Sequence, residues 1–384
     1  MASTIKVTNI NTPDGTGSLT VDRPLAGDGN ALVGISPRNF IIDGDFTQWP
    51  EGTSAATATN DKYSSALFES QISHDGTITI ERSTSVPTIA QSKHQSAYSW
   101  LAKCTGTDAS IGADQYARFR YHITGSDFAH LHQQEITISF WAKTAAANSG
   151  DTYYFVLTNS AQVRSYVQNF APTSSWTKFT YTITLDSGGT WLFTEADIGM
   201  KFEIILAAGS THDNATIGSW VDTGQQEWWA SGTAISNFLD STSNEFYLSQ
   251  VGLYLGGSAP TFTSPPISTV KEEVEYYVQR YDLTDNSAQW LCVGVCSASA
   301  SQSLLTWRRQ LRVAPTVTST AAATFEGGDI AAAADLNAIN FNDVGVSTMR
   351  IHGTQGGSTW TNHSGFYITR DGTDTAWVML DARH

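Results

Sequence analysis

The chain has 384 residues and carries 21 Lys and Arg against 36 Asp and Glu, a formal net charge of −15. Nucleic acid and anionic membranes both call for a basic surface, so this balance argues against either as a partner. Charged residues are only 15%, below the roughly 25% usual in soluble domains, and Ser, Thr, Gly, Asn and Gln replace them, a composition that favours strands and turns over long exposed helices.

Residues 1–38 hold one short strand-like run (Ile5, Val7, Ile10) and then the turn-rich TPDGTGSLTVDRPLAGDGN. This segment is too polar for a core of its own and is expected to be an arm that docks on another surface. Its opening lacks the basic and apolar regions of a signal peptide. No window of the chain approaches the ~18 uninterrupted apolar residues of a membrane span, so no membrane insertion is expected.

From Asn39 to about Tyr254 the pattern is repeated strands with turn punctuation: GTITIERS, ARFRYHIT, ITISFWAK, YYFVLT, FTYTITL, KFEIILAAG and NEFYLSQVGLYLG. Alternating apolar residues and polar loops predict a sandwich of two antiparallel sheets. The linker SAPTFTSPP follows, and then ISTVKEEVEYYVQRYDL (267–283). There Ile267, Val270, Val274, Tyr277 and Tyr281 recur at steps of three and four, which predicts a helix of roughly four turns with Ser268 as its N-cap. Its narrow seam suits either packing on its own domain or an axial bundle of three helices. Residues 288–384 return to strands: QWLCVGVCS, SLLTWRRQLRV, PTVTST, STMRIHG, GFYITRD and AWVMLDAR. A second, smaller β-sandwich is expected here, with AAATFEGGDIAAAADLNAINF (321–341) as a loop or short helix.

Cys292 and Cys296 lie four apart in an expected strand, roughly 13 Å, too far to bridge. With Cys104 they imply no disulfide framework, and assembly in a reducing cytoplasm is acceptable.

Chemistry is sparse. There is no GxSxG, HExxH, DxDxDG or P-loop. His130 and His132 would share a strand face and are the best metal candidates, although turn histidines explain them more simply; His212-Asp213 reads as a polar loop. Asp43 with Asp45, or Glu272 with Glu273, could pair as carboxylates for glycoside hydrolysis. The first pair is better read as turn residues around Gly44, the second as an exposed helix face. No catalytic residue, metal or cofactor is assigned. Twelve Trp and 14 Tyr are a high aromatic load. Trp141 and Trp377 are expected in the core, whereas Trp220, Trp228 and Trp229 in IGSWVDTGQQEWWASGT are the candidates for stacking on sugar rings, with a subunit interface or core as the alternative.

Several segments, in order, resemble a family of bacteriophage tail and fibre proteins. They are NFIIDGDFTQWPEGTS, ITISFWAK, SSWTKFTYTIT, the run from NEFYLSQVGLYLG through the helix to QRYD, LRVAPTVT and AWVMLDAR. The first looks like that family's opening strand. The opening IKVTNINTPDGTGSLTV also resembles the starts of fibre proteins of marine phages. The resemblance implies a carbohydrate-binding-module-like jelly roll followed by a small β domain. Jelly rolls that hold a structural calcium often close with adjacent acidic residues, and here that place reads Leu248-Ser249-Gln250.

The expected fold is therefore all-β: an N-terminal attachment arm (1–38), a jelly-roll β-sandwich (39–257), a linker and helix (258–287) and a smaller C-terminal β-sandwich (288–384). The expected function is that of a virion protein assembled in the host cytoplasm. It would be a homotrimeric tail fibre or receptor-binding protein contacting host cell-surface polysaccharide through the tryptophans, and bound to other virion proteins through its arm. A capsid fibre, decoration or tail-attachment protein without receptor function is the alternative, and a glycan depolymerase the third.

Overall fold

The computed structural model describes residues 38–213, 216–223, 229–230, 235–283, 289–297, 299–329, 333–355, 360–361, 363–372 and 374–383. The expected arm, apart from Arg38, lies outside the described residues, and residues 38–384 cluster as one unit. The strands of the first half are β1 (Ala56–Thr57), β2 (Lys62–Tyr63), β3 (Phe68–Ser73), β4 (Thr77–Ser83), β5 (Ser99–Gly106), β6 (Tyr116–Thr124), β7 (Glu135–Thr144), β8 (Tyr153–Asn159), β9 (Arg164–Phe170), β10 (Thr177–Thr184), β11 (Ile198–Ala208), β12 (Trp220–Asp222) and β13 (Glu245–Leu255). They pair as a six-stranded sheet, β1-β4-β5-β13-β7-β10, and a seven-stranded sheet, β12-β9-β8-β11-β6-β3-β2. Every named ladder is antiparallel.

Alternation decides which face is buried. On β6, Phe119, Tyr121 and Ile123 point inward while Arg118, Arg120 and His122 point away. On the facing sheet, Trp100 and Ala102 of β5, Ile138 and Phe140 of β7 and Phe246 of β13 close the same core. Aromatic rings bridge the layers edge-on, Trp100 to Phe119 at 4.7 Å and Phe140 to Phe170 at 5.1 Å. Fully burying each such side chain contributes roughly 1.5–3 kcal/mol.

The opening motif NFIIDGDF is not a strand. It lies against β13 through isolated bonds, Phe40 N–H to the Leu253 carbonyl and Val251 N–H to the Gly44 carbonyl, both 2.9 Å. Asp43 and Phe46 adopt positive φ, which breaks any ladder.

The remaining strands are β14 (Val278–Leu283), β15 (Cys292–Cys296), β16 (Ala300–Thr306), β17 (Thr316–Ser319), β18 (Phe325–Gly328), β19 (Ala333–Asp335), β20 (Ala338–Asn342), β21 (Thr348–Thr354), β22 (Gly365–Arg370) and β23 (Ala376–Asp381). They form a three-stranded sheet, β14-β23-β17, and a seven-stranded one, β19-β18-β22-β15-β16-β21-β20. A core of Leu311, Phe325, Ile351, Trp360, Ile368, Val378 and neighbours fills this half.

Several expectations are corrected here. The helix runs only over Ile267–Glu275 and has no side-chain cap, with Pro266 at the N-cap and Ser268 inside the first turn. Tyr281 stands on β14, paired with Val378 of β23. Val270, Val274 and Tyr277 are buried in the first core, and only Ile267 of the seam is exposed. That stripe therefore packs within the chain and is not an open axial seam. The tract 321–341 is neither loop nor main helix: it supplies a 3-10 turn and then β18, β19 and most of β20. SLLTWRRQLRV leaves its strand after Thr306. Trp377 is half-buried on the outer face of β23, because Ala376, Val378 and Leu380 take the inner one.

Cys104, Cys292 and Cys296 are free and buried. Burial pushes the Cys292 thiol up to about 12 and raises Cys104 as well, so little thiolate exists to react. The folded protein is expected to resist the thiol reagent DTNB at pH 8, and all three cysteines to react on unfolding in guanidinium. Rapid titration of Cys292 in the native state would contradict its placement.

Candidate functional site

The tryptophans singled out by sequence do not form one exposed surface. Trp220 is half-buried on β12, its indole N–H donating to the Thr184 carbonyl at 2.9 Å and its ring against Tyr166 and Trp191. Trp229 is fully buried, stacked on His212 at 4.1 Å with the Arg118 guanidinium 3.9 Å over its ring. It cannot meet a ligand. Trp228 lies outside the described residues.

Trp229 lies over Arg118, one end of a charged band on the outer face of the seven-stranded jelly-roll sheet. Register sets Glu69 of β3, Arg120 of β6 and Glu203 of β11 in one row. Arg120 donates two bonds to Glu69, at 2.7 and 3.2 Å, and Arg118 donates to Glu203 at 3.1 Å and to Gln162 at 3.0 Å. Lys201 reaches the Ser160 carbonyl at 2.8 Å. Glu69, Arg118, Lys201 and Glu203 are all buried. Glu203 thus fixes the Arg118 guanidinium that lies over the Trp229 ring.

An exposed platform stands instead on the C-terminal sheet. Trp290 is 62% exposed, and its ring lies parallel to that of Tyr367, 5.0 Å between centroids and 13° between planes. Tyr367 of β22 pairs with Val293 of β15, which pairs with Leu304 of β16. Val293, Val295 and Leu304 are each more than half exposed. An open cleft of about 340 Å³ runs beside the two rings and reaches Asp329. The Asp329 carboxylate is fixed by the Thr361 N–H and the Ser364 hydroxyl. A Cβ on Gly328 would come within 2.5 Å of the Tyr367 hydroxyl, so glycine is what lets that ring lie over its neighbour strand. The next row carries Gln302 and His352 and then Asn340. A flat aromatic face accepts the apolar C–H face of a sugar, while the amides of Gln302 and Asn340 and the His352 imidazole can bond its hydroxyls; Asp329 is itself buried and braces the floor of the cleft.

The sequence did carry a signal for this surface. In CVGVC the cysteines face the core, so Val293 and Val295 must face outward, an apolar pair on the wrong side of a strand. In the expected strand QWLCVGVCS alternation sets Trp290 on the inner face with the cysteines, but the strand begins only at Cys292 and leaves the indole outside.

The remaining candidates are structural. His130 and His132 lie in the turn after a four-residue helix (α1, Gly125–Phe128), not on a strand; His132 packs against Phe193 at 5.1 Å. His212 sits in a 3-10 turn under Trp229. The Asp43 carboxylate accepts from Thr47 and Gln48 within its turn, and Asp45 meets His94 at 3.1 Å and the Ser264 hydroxyl at 3.0 Å. Glu272 pairs with Arg309 at 3.6 Å. At the position where an acidic pair would hold calcium, the Gln250 amide donates to the hydroxyls of Ser92 and Ser96. Among the described residues no group of three or more His, Cys, Asp or Glu is arranged to hold a metal.

No family model matches the chain, and no curated protein matches it. Among solved structures it overlaps an enzymatically active domain of tailspike protein 4 from bacteriophage CBA120, at 11% identity and a TM-score of 0.27, over 49% of this chain and 19% of that one. The overlap thus spans about a fifth of the tailspike domain's length. It also overlaps TmCBM61 in complex with β-1,4-galactotriose, at 9% identity and 0.28, over 57% and 99% of the two chains. A third is the CBM22-1 xylan-binding domain of Paenibacillus barcinonensis Xyn10C, at 9% and 0.26, over 54% and 99%. At scores this low the likenesses carry no argument about function, which rests on the chain's own geometry.

Proposed function

We propose that this chain is a non-catalytic glycan-binding protein of a bacteriophage particle, and that the Trp290–Tyr367 platform is the surface that meets the sugar. The observation that carries the reading is the exposed Trp290 ring lying parallel to the half-buried Tyr367 on an open cleft. A large indole left in water has no packing reason to be there, and such faces mark contact sites. The place on a particle rests on the ordered sequence resemblance to phage fibre proteins. Buried free thiols fit assembly in a reducing host cytoplasm. Presentation in several copies, such as a trimer, belongs to the same proposal, since weak sugar sites gain avidity when repeated.

The test is saturable binding of purified protein to host surface polysaccharide. Trp290→Ala is expected to lower affinity about thirtyfold, equivalent to roughly 2 kcal/mol, with an unchanged melting temperature because the side chain is exposed. Equal binding by this variant would remove the platform from the mechanism.

A second reading has its own observation. Val293, Val295 and Leu304 make an apolar strip on the same face, which suits a contact between subunits. Sedimentation of Val295→Lys separates the two: loss of oligomer with retained sugar binding would assign the strip to assembly.

A further inference from the structure

A second cleft lies where the two β bodies meet. It encloses about 290 Å³ between the Gln48–Pro50 loop, the helix Ile267–Glu275 (α2), strand β14 and Arg308. The chain as a whole has 36 acidic against 21 basic side chains, yet Lys271, Arg280 and Arg308 line this cleft with Glu275 as the one acidic neighbour on its wall.

Two of the three cations are held in place. The Arg280 guanidinium donates to the Pro50 carbonyl at 2.8 Å and to Asp282 at 2.7 Å, and lies 4.7 Å over the Trp377 ring. Arg308 donates to Glu275 at 3.2 Å and to the Arg280 carbonyl at 3.3 Å, with its plane 4.7 Å over Tyr281. Lys271 is exposed and makes no ion pair among the described residues. Asp282 and Glu275 each pair with one arginine, so these five groups carry a net charge of +1, with Lys271 as the cation that has no ion pair among the described residues. Trp49 supplies an aromatic wall, its indole N–H tied to the Phe46 carbonyl at 2.8 Å. The volume is at the small end of ligand pockets, room for one sugar ring and not a long chain. The Lys271 ammonium can bond a carboxylate as a point charge, and the guanidinium N–H groups not engaged with Asp282, Glu275 or the backbone carbonyls can add to it.

We propose that this cleft binds the carboxylate of an acidic sugar residue of the hexuronic acid class, so that the protein selects acidic polysaccharide over neutral. The site is separate from the Trp290 platform, and the two can fail independently.

The test is calorimetric titration of the full chain with a galacturonic acid trimer, and with a galactose trimer as its neutral counterpart. The acidic trimer is expected to bind at least tenfold more tightly, with an advantage that shrinks as salt is added. Lys271→Gln should remove most of that advantage without changing the melting temperature, since the side chain is exposed. Arg308→Gln should do the same, and Lys271→Gln keeps the test intact if Arg308→Gln unfolds. Trp290→Ala should weaken binding of the neutral trimer at the platform and leave the affinity of the cleft for the acidic trimer unchanged. Equal affinity for the two trimers, or an unchanged ratio in Lys271→Gln, would overturn the proposal. So would displacement by inorganic sulfate at equal concentration, which would mean attraction to any anion. Loss of binding in Trp290→Ala with no acid preference in the parent would leave the platform standing and this cleft refuted.

Discussion

Replacing Arg383 by methionine is expected to lower unfolding stability by about 3–5 kcal/mol, the range for breaking a buried ion pair from one side. Its side chain is 2% exposed, although it lies near the end of the chain. The guanidinium grips Asp381 with two bonds at 2.8 and 2.6 Å, reaches Glu51 at 2.5 Å, donates to the Ala66 carbonyl at 2.9 Å and lies 3.7 Å over the Tyr63 ring. Methionine fills much of the volume but leaves the Glu51 and Asp381 carboxylates without their counter-charge. Burial already raises the Glu51 carboxyl, and Arg383 pulls it back down. With the arginine gone, the folded pKa of Glu51 rises further above its unfolded value, so the folded form binds the proton more tightly. Stability lost to the ionised carboxylate is then recovered as pH falls through that folded pKa. The gap between variant and parent should be wider at pH 8 than at pH 5 in urea melts. A gap below about 1 kcal/mol at pH 8 would show that the clamp is dispensable.

Arg118→Leu is expected to cost a similar 3–5 kcal/mol, by a route inside the first sandwich. Glu203 is fully buried and its Oε2 accepts from Arg118. Leucine leaves that charge enclosed and removes the cation beneath the Trp229 ring, itself worth roughly 0.5–2 kcal/mol. The double variant Arg118→Leu/Glu203→Leu should recover much of the loss, since an apolar pair carries no desolvation penalty. Chemical denaturation measures both, and tryptophan emission should shift red in the single variant as Trp229 meets water. A double variant no better than the single would point to packing and not charge as the cause.

Much of the first sandwich was readable because its strands alternate cleanly: ARFRYHIT and ITISFWAK announce both strand and inner face. The helix was overread because Tyr277 and Tyr281 continue a three-and-four spacing that a strand also tolerates. Pairing of Val278–Leu283 with β23 decided the matter, and no local residue reports a partner about a hundred positions away. The tract 321–341 misled for the opposite reason. Its Ala and Gly are poor strand formers, but Gly327 and Gly328 are wanted where Phe366 and Tyr367 press close. The charged band beneath Trp229 left a trace in the three basic side chains of ARFRYH, on one face at every second position. Read alone they look solvated; Trp229, from another part of the chain, covers Arg118, while Arg120 and His122 stay partly exposed.

The grip of Arg383 on the Ala66 carbonyl joins residues 317 apart in sequence, and that separation has a kinetic side. Closing so long a loop is entropically costly and comes before any reward from the contact. The joint between the two bodies should therefore lock last in folding, after each sandwich has formed around its local hairpins. Stabilising it would then slow unfolding far more than it speeds folding. For the particle protein proposed above, a slow exit from the native state serves better than a fast return to it.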